Sequence, residues 1–172
     1  MIIRTETTAD YSKVFQVNYE AFRNREDEPK LVEKIRESKQ FIPELSLVAE
    51  ENNEILGHLL LSKAEVINKN ISHEVIVLAP IAVKPEFQNK GIGSQLIQEG
   101  LRRCRDLGYG IVLLIGHPTY YPRFGFKPAR RYGLELKQFN VSDEVFMVCE
   151  LIDGKLDRIK GELRYPDTFF KI

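Results

Sequence analysis

The sequence predicts a mixed α/β protein of one domain, with a central sheet that is partly antiparallel at its start and flanked by helices. Three observations carry that prediction. The stretch "LSLVAEENNEILGHLLLSKAEVI" holds two apolar runs joined by a polar turn at Glu51 to Glu54, the pattern of two paired strands. "VIVLAPIAV", Val75 to Val83, is a continuous apolar run, as in a strand buried on both faces. A glycine-bearing turn, a helical pattern and a second apolar strand, "YGIVLLIG", follow in that order, and strand–helix–strand units cross over to bring their strands parallel.

The remaining elements follow in chain order. Ile2 to Arg4 is a short strand. A helix comes next, with Thr7 or Thr8 as N-cap and Asp10 near its positive end, and Val14, Val17 and Ala21 repeat at three- and four-residue spacing. The charged stretch "RNREDEPK", residues 23–30, reads as a loop or linker, and a shorter helix after it carries Leu31, Val32 and Ile35. Pro80 inside the long apolar run marks a place where pairing breaks, because proline donates no ladder hydrogen bond. Beyond the glycines, Ile92, Leu96, Ile97, Gly100, Leu101 and Cys104 share one helix face, and Gly108 can close that helix. "HPTYYPRFGFKPA" reads as a short helical turn running into a loop, and "LELKQF", "VFMVCEL" and "GELRYP" as further short strands. The domain is expected to span residues 1–172, with a core over about 2–151 and a tail, 152–172, packing as further strand and loop.

Composition narrows the function classes. Lys plus Arg and Asp plus Glu number 25 each, so no overall field draws the chain to nucleic acid or to an anionic membrane. The apolar start lacks the layout of a signal peptide, and no apolar run approaches the roughly 18 residues of a membrane span. Two cysteines, Cys104 and Cys149, fit a reducing compartment. The expectation is a cytoplasmic protein without nucleic-acid or membrane partners.

Gly91 and Gly93 stand where strand becomes helix, although each costs about 1 kcal/mol relative to Ala inside a helix. Two readings fit. Glycines here expose backbone N–H groups at the positive end of a helix and let an anion approach without a Cβ in the way, with Lys90 adding a charge. Alternatively they make a tight packing turn. The common nucleotide patterns fail: no Lys-Ser or Lys-Thr pair follows either glycine, and Leu96 occupies the third glycine position of a dinucleotide fingerprint. An ATP- or GTP-binding protein is therefore the weaker rival.

Gln88-Asn89-Lys90-Gly91-Ile92-Gly93 fits the [QR]-x-x-G-x-[GA] signature of the GNAT superfamily of N-acetyltransferases, which the chain resembles over about residues 2–151. "IAVKPEF" is similar to that family's approach to the loop, and "YYPRFGFKPA" to its closing Tyr-x-x-x-Gly-Phe element. The "GHPTYYPRFGF" segment resembles a bacterial-type branch of predicted acetyltransferases, though it is compressed and carries two prolines. The resemblance implies a sheet whose parallel strands splay apart, with acetyl-CoA as cosubstrate and no metal. Gln88, Asn89, Lys90, Gly91, Ile92, Gly93 and Ser94 would hold its pyrophosphate. Ile81, Ala82 and Val83 would hydrogen-bond the pantetheine through main chain. The sheet is already failing to pair where that arm enters, which gives Pro80 its place.

The implied reaction is direct transfer of an acetyl group to the amine of a small molecule or peptide within a ternary complex. It needs a neutral amine, a stabilised oxyanion and a proton for the leaving sulfur. Tyr121, four residues before Gly125, matches the position of the family's proton donor, with Tyr120 as the fallback; a buried core aromatic is the alternative. The general base stays open. Val77 occupies the family's glutamate position, Glu74 is a substitute, Glu50 and Glu51 read as solvated turn residues, and His117 stands after the apolar strand. His58 and His73 have no partner at a telling spacing. Arg123 and the cluster Lys127, Arg130 and Arg131 read as surface or as contacts to the nucleotide end of CoA. Residues 23–30 are expected near the acceptor. A domain of this fold that binds acyl-CoA as a sensor without turnover is the alternative function, and a homodimer remains open.

Overall fold

The computed structural model describes residues 1–170. Its strands are β1 (Ile2–Thr5), β2 (Ser46–Glu51), β3 (Glu54–Asn68), β4 (Ile71–Val83), β5 (Ile111–Ile115), β6 (Lys127–Pro128), β7 (Leu134–Leu136), β8 (Phe146–Glu150) and β9 (Gly161–Arg164). Its helices are α1 (Tyr11–Ala21), α2 (Asp27–Arg36), α3 (Ile92–Asp106) and α4 (Lys155–Arg158). The sheet runs β1-β2-β3-β4-β5-β8-β6, with β9 pairing both the far end of β3 and β7. From β1 to β4 every pairing is antiparallel, and β4–β5 is parallel, as the sequence pattern predicts.

The β2–β3 hairpin turns at Asn52 and Asn53, both with positive φ, 52° and 62°. Asparagine tolerates that conformation, and a two-residue turn of this hand matches the twist of the strands it joins. One sheet face carries α3, whose buried stripe of Ile92, Leu96, Ile97, Leu101 and Cys104 packs on Leu47, Leu59, Leu61 and Ile76. The other carries α1 and α2, where Val14, Val17, Leu31, Val32 and Ile35 meet Val48, Ile55, Leu60 and Ala82. Alternate strand residues thus feed different layers, as the two-residue period of a strand requires.

Three expectations are corrected by the structure. The charged stretch 23–30 is only partly a loop, because α2 begins at Asp27 and takes in Glu28 and Pro29. Acids in a first helical turn complement the exposed N–H groups there, so this charge run is a helix start. The long apolar strand begins at Ile71, four residues earlier than its apolar run, carried by hairpin pairing with β3. The tail adds the short helix α4 as well as the strand β9.

Polar anchors fix the two helices to the sheet. Arg4 joins Asp10 at 2.8 Å and Glu50 at 2.9 Å, and that contact holds the Asp10 carboxyl down at about 2. Arg36 of α2 grips Glu6 through two bonds of 2.6 and 3.1 Å and stacks on the Tyr11 ring. The chain continues inward: Ser46 donates to Glu6 at 2.7 Å, His58 Nε2 lies 3.1 Å from Ser46 Oγ, and His58 Nδ1 lies 3.1 Å from Asn18 Nδ2 of α1.

His58 is fully buried, and burial pushes its pKa down from 6.5 to about 4, with Glu6 opposing the shift and Arg36 reinforcing it. The unfolded chain therefore binds the proton first as pH falls. This histidine's contribution to stability is complete above pH 6.5 and is lost progressively toward pH 4. A loss of about 3 kcal/mol across that window is expected, read from denaturant midpoints, and largely abolished in His58→Gln. A wild-type stability that stays flat through the window contradicts the assignment.

Candidate active site

Strands β4 and β5 pair at only two positions, Ile76 with Val112 and Val77 with Leu113. Beyond them β4 continues for six residues against β3 alone. Within that stretch the β3–β4 register shifts: Leu61 faces Leu78 and Leu59 faces Ile81, so Ala79 and Pro80, joined by a cis peptide bond, lie opposite one residue of β3. The predicted break at Pro80 is thus a bulge on one side of β4 and an open edge on the other.

Main-chain direction past the bulge follows from alternation. Lys84 N–H bonds Leu56 C=O at 2.9 Å, so the next hydrogen-bonded pair along the ladder is Ala82 with His58. Ala82 therefore directs its main chain to β3, and its side chain is buried toward α1 and α2. Ile81 and Val83 direct theirs to the open edge. Gln88 Nε2 donates to Val83 C=O at 3.0 Å from that edge, as this direction requires.

The loop after β4 turns through Pro85–Phe87, takes left-handed conformations at Asn89 (φ 63°) and Gly91 (φ 86°), and enters α3 at Ile92. The first N–H groups of α3 have no partner within the helix. A Cβ on Gly91 would meet nothing within 4 Å, whereas one on Gly93 would stand 3.3 Å from Tyr120 Oη and 3.9 Å from Ile81 and Val83 side-chain carbons. Gly91 is thus required by backbone conformation and Gly93 by close approach. Ser94 Oγ lies 3.2 Å from Tyr120 Oη.

Around this helix end lies a groove of about 580 Å³, and Ile81, Val83, Gln88, Asn89, Gly91, Ile92, Gly93 and Ser94 line it. Two predicted residues stand apart. Ala82 is under the groove, and Lys90 is exposed with its ammonium 5.5 Å from the Phe87 ring. Phe87, Tyr120 and Arg123 complete the wall. Arg123 lies over the Tyr120 ring at 4.7 Å and donates to the Tyr120 carbonyl.

A second cavity, about 410 Å³, lies along the same stretch of β4, and Ile81 lines both. Tyr121 faces this one. Its ring packs edge-on to Phe126 and Tyr120, and burial, with Tyr120 adding, pushes its phenol up to about 12. The adjacent tyrosines thus serve different spaces, Tyr120 the groove and Tyr121 the cavity. The cavity's other walls come from β4 and β5 (Leu78, Pro80, Ile115), from the first helices (Phe22, Glu28, Leu31) and from the last third of the chain (Phe139, Tyr165, Phe169). Residues 23–30 reach it through Glu28, and the late aromatics had no counterpart among the expected site residues. For Tyr165 and Phe169 the signal was the aromatic density of "YPDTFF"; Phe139 had none.

The other candidate bases lie elsewhere. Glu74 borders a different groove, 3.9 Å from Lys63, Glu50 bonds Arg4, and Glu51 meets the N-terminal amine at 3.5 Å. His117 is exposed and lines neither cavity. Arg130 clasps Glu135 and Asp143, each at 2.8 Å. Cys104 and Cys149 are buried and unpaired, their thiols pushed up by burial to about 12 and about 11. Among the described residues no His, Cys, Asp and Glu cluster is arranged to hold a metal ion, and no helix is long and apolar enough to cross a membrane.

The family model for the acetyltransferase (GNAT) domain matches residues 2–129. The chain belongs to the GNAT family. It is accordingly an acyltransferase. The protein is 38% identical over 120 residues to the uncharacterized N-acetyltransferase YjhQ of Escherichia coli, a match covering 70% of this chain and 66% of that one. It is 29% identical to the uncharacterized N-acetyltransferase YhbS of the same species over 98% of both chains. The crystal structure of E. coli YhbS in complex with CoA superposes with a TM-score of 0.90 at 27% identity, covering 99% of this chain and 92% of that one. A GNAT acetyltransferase from Brucella melitensis in complex with acetyl-CoA gives 0.79 at 30% identity, over 98% and 97%. This GNAT fold is the open mixed sheet described above, with helices on both faces.

The loop geometry generates a test of its own. Gly91→Val is expected to lower stability by about 1–2 kcal/mol, and Gly91→Asn by less, although a Cβ there meets nothing within 4 Å. Denaturant titration of both variants checks this, and equal effects would mean that the left-handed backbone is not what selects glycine.

Proposed function

We propose that this GNAT protein moves an acetyl group from acetyl-CoA to an amine by direct transfer, the donor lying in the groove and the acceptor in the apolar cavity. The observation that carries the reading is that the two spaces adjoin along the open edge of β4, with Ile81 lining both. The CoA-bound relatives of the same fold support the choice of donor.

The residues fit such a donor. The free N–H groups at the start of α3, with Gly93 leaving room for close approach, suit a pyrophosphate. Asn89 and Gly91 shape the turn, Gln88 braces it against Val83, and Ser94 with Tyr120 forms the adjoining wall. Arg123 and the neighbouring Lys90 add positive charge beside it. Ile81 and Val83 offer main-chain groups to an extended pantetheine, completing the strand edge that β5 leaves open. Ala82 contributes by holding that edge against β3.

The thioester supplies an acyl carbon open to attack by a neutral amine, with a thiolate as leaving group. Tyr121, whose phenol burial keeps protonated, gives the sulfur its proton. The tyrosinate then recovers a proton from the nitrogen that has formed the amide, so the residue ends as it began.

Calorimetric titration with acetyl-CoA tests the donor site: wild type binds, and Gly91→Asp/Gly93→Asp, which puts two carboxylates at the anion site, loses binding. ATP is the control ligand. Tyr121→Phe is expected to keep acetyl-CoA affinity and lose about 10²–10⁴-fold in kcat. Tight binding with no acylation of any amine would instead make the domain an acyl-CoA sensor.

A further inference from the structure

The cavity beside Tyr121 has a wall chemistry more specific than a general amine site needs. Among the described residues its lining is aromatic and aliphatic, with one carboxylate, Glu28, and no Lys, Arg or His. Glu28 stands in the first turn of α2 beside two other acids that are already paired: Lys30 lies 2.9 Å from Glu26, and Arg25 lies 2.6 Å from Asp27. Glu28 has no cation among the described residues, and its Oε2 is buried with no hydrogen-bond partner. A carboxylate oxygen withdrawn from water and left unpaired is costly, and a ligand that brings an N–H donor relieves that cost.

We propose that Glu28 binds the ammonium group of the acceptor and accepts one of its protons, freeing the neutral amine for attack, and that the acceptor is a small monoamine on a flat apolar body with no carboxylate beside the amine. The proposal rests on the acetyltransferase reading above and specifies its acceptor. Phe139 and Tyr165 pack edge to face at 5.3 Å, and Tyr165 and Phe169 at 4.9 Å, so one wall is a set of fixed ring faces and edges. A planar apolar group packs on such a wall, and its attached cation is attracted to ring faces. An amino acid would bury its carboxylate where no side chain among the described residues carries a positive charge. A polyamine would find one carboxylate for several charges. The volume, about 410 Å³, falls within the roughly 300–1,000 Å³ usual for small ligands.

The position of Glu28 is itself held by the sheet. At the far end of α2, Arg36 is locked to Glu6, and both side chains are almost fully buried. Glu28 is thus presented by a helix anchored away from the cavity, and its substitution removes a charge from the wall without touching that anchor.

The test is steady-state acetylation of 2-phenylethylamine, phenylalanine and spermidine by wild type, Glu28→Gln and Glu28→Asp, with calorimetric acetyl-CoA affinity measured on the same preparations. Expected is a kcat/KM for 2-phenylethylamine at least about tenfold above the other two. Glu28→Gln is expected to raise its KM about ten- to a hundredfold, with partial recovery in Glu28→Asp and unchanged acetyl-CoA affinity in both. Unchanged affinity also reports that the variants fold. The inference is overturned, with the acetyltransferase reading intact, if acetyl-CoA binds but phenylalanine or spermidine is preferred. The same holds if 2-phenylethylamine is not acetylated or if Glu28→Gln leaves its KM alone. A wild-type protein that does not bind acetyl-CoA overturns the functional reading and this inference together.

Discussion

The early separation of β4 from β5 is the constraint on which the rest of the structure depends. Two residue pairs hold the parallel strands together, and β4 then runs on against β3 while β5 ends at Ile115. An unpaired strand edge inside a domain leaves main-chain groups without partners, which a fold tolerates where solvent or a ligand reaches them. Here that edge lies between the start of α3 and the two tyrosines, so one defect in the sheet brings the groove and the cavity side by side at Ile81. The bulge at Ala79 and Pro80 falls within the same stretch, where β3 is the only strand paired to β4.

An open edge holds its shape only if the elements around it are fixed, and the packing supplies this from both faces. On one side α3 is held by an apolar stripe, which anchors the helix start beside the loop. On the other, α1 and α2 are tied to the sheet by a polar chain running from Arg36 through Glu6, Ser46 and His58 to Asn18. Such a chain adds less stability than an apolar core of the same volume would, but each member fixes the direction of the next. The near-complete burial of Arg36 and Glu6 makes any other seating of α2 leave a charge unpaired in the interior. The wall of the cavity that carries Glu28 inherits that rigidity.

What was legible in the sequence is what local chemistry dictates. The apolar strand runs, the polar turn between two of them and the glycines before α3 each answer a backbone or packing requirement that acts over a few residues. Tyr121 was singled out by the resemblance to the family's Tyr-x-x-x-Gly-Phe element rather than by local chemistry, and its neighbour Tyr120 could be separated from it only once their rings were seen in different spaces. The cavity was hidden for a different reason. Phe22, Glu28, Phe139, Tyr165 and Phe169 come from distant parts of the chain and have no periodicity in common. Glu28 was further concealed in a charge run that resembles a solvated loop, and His58 in a strand whose partners lie 12 and 40 residues away. The main-chain assignment at β4 also needed the register. Without the Lys84–Leu56 bond, Ala82 could not be told from Ile81 and Val83.

The central claim is that the open edge of β4 receives the acyl donor, and amide hydrogen exchange at Ile81, Ala82 and Val83 tests it residue by residue. The account predicts that Ala82, bonded to β3, is protected with or without acetyl-CoA, and that Ile81 and Val83 exchange readily in the free protein and become protected when acetyl-CoA is added. If acetyl-CoA binds and leaves Ile81 and Val83 exchanging as before, the donor lies elsewhere and the account of the site is contradicted.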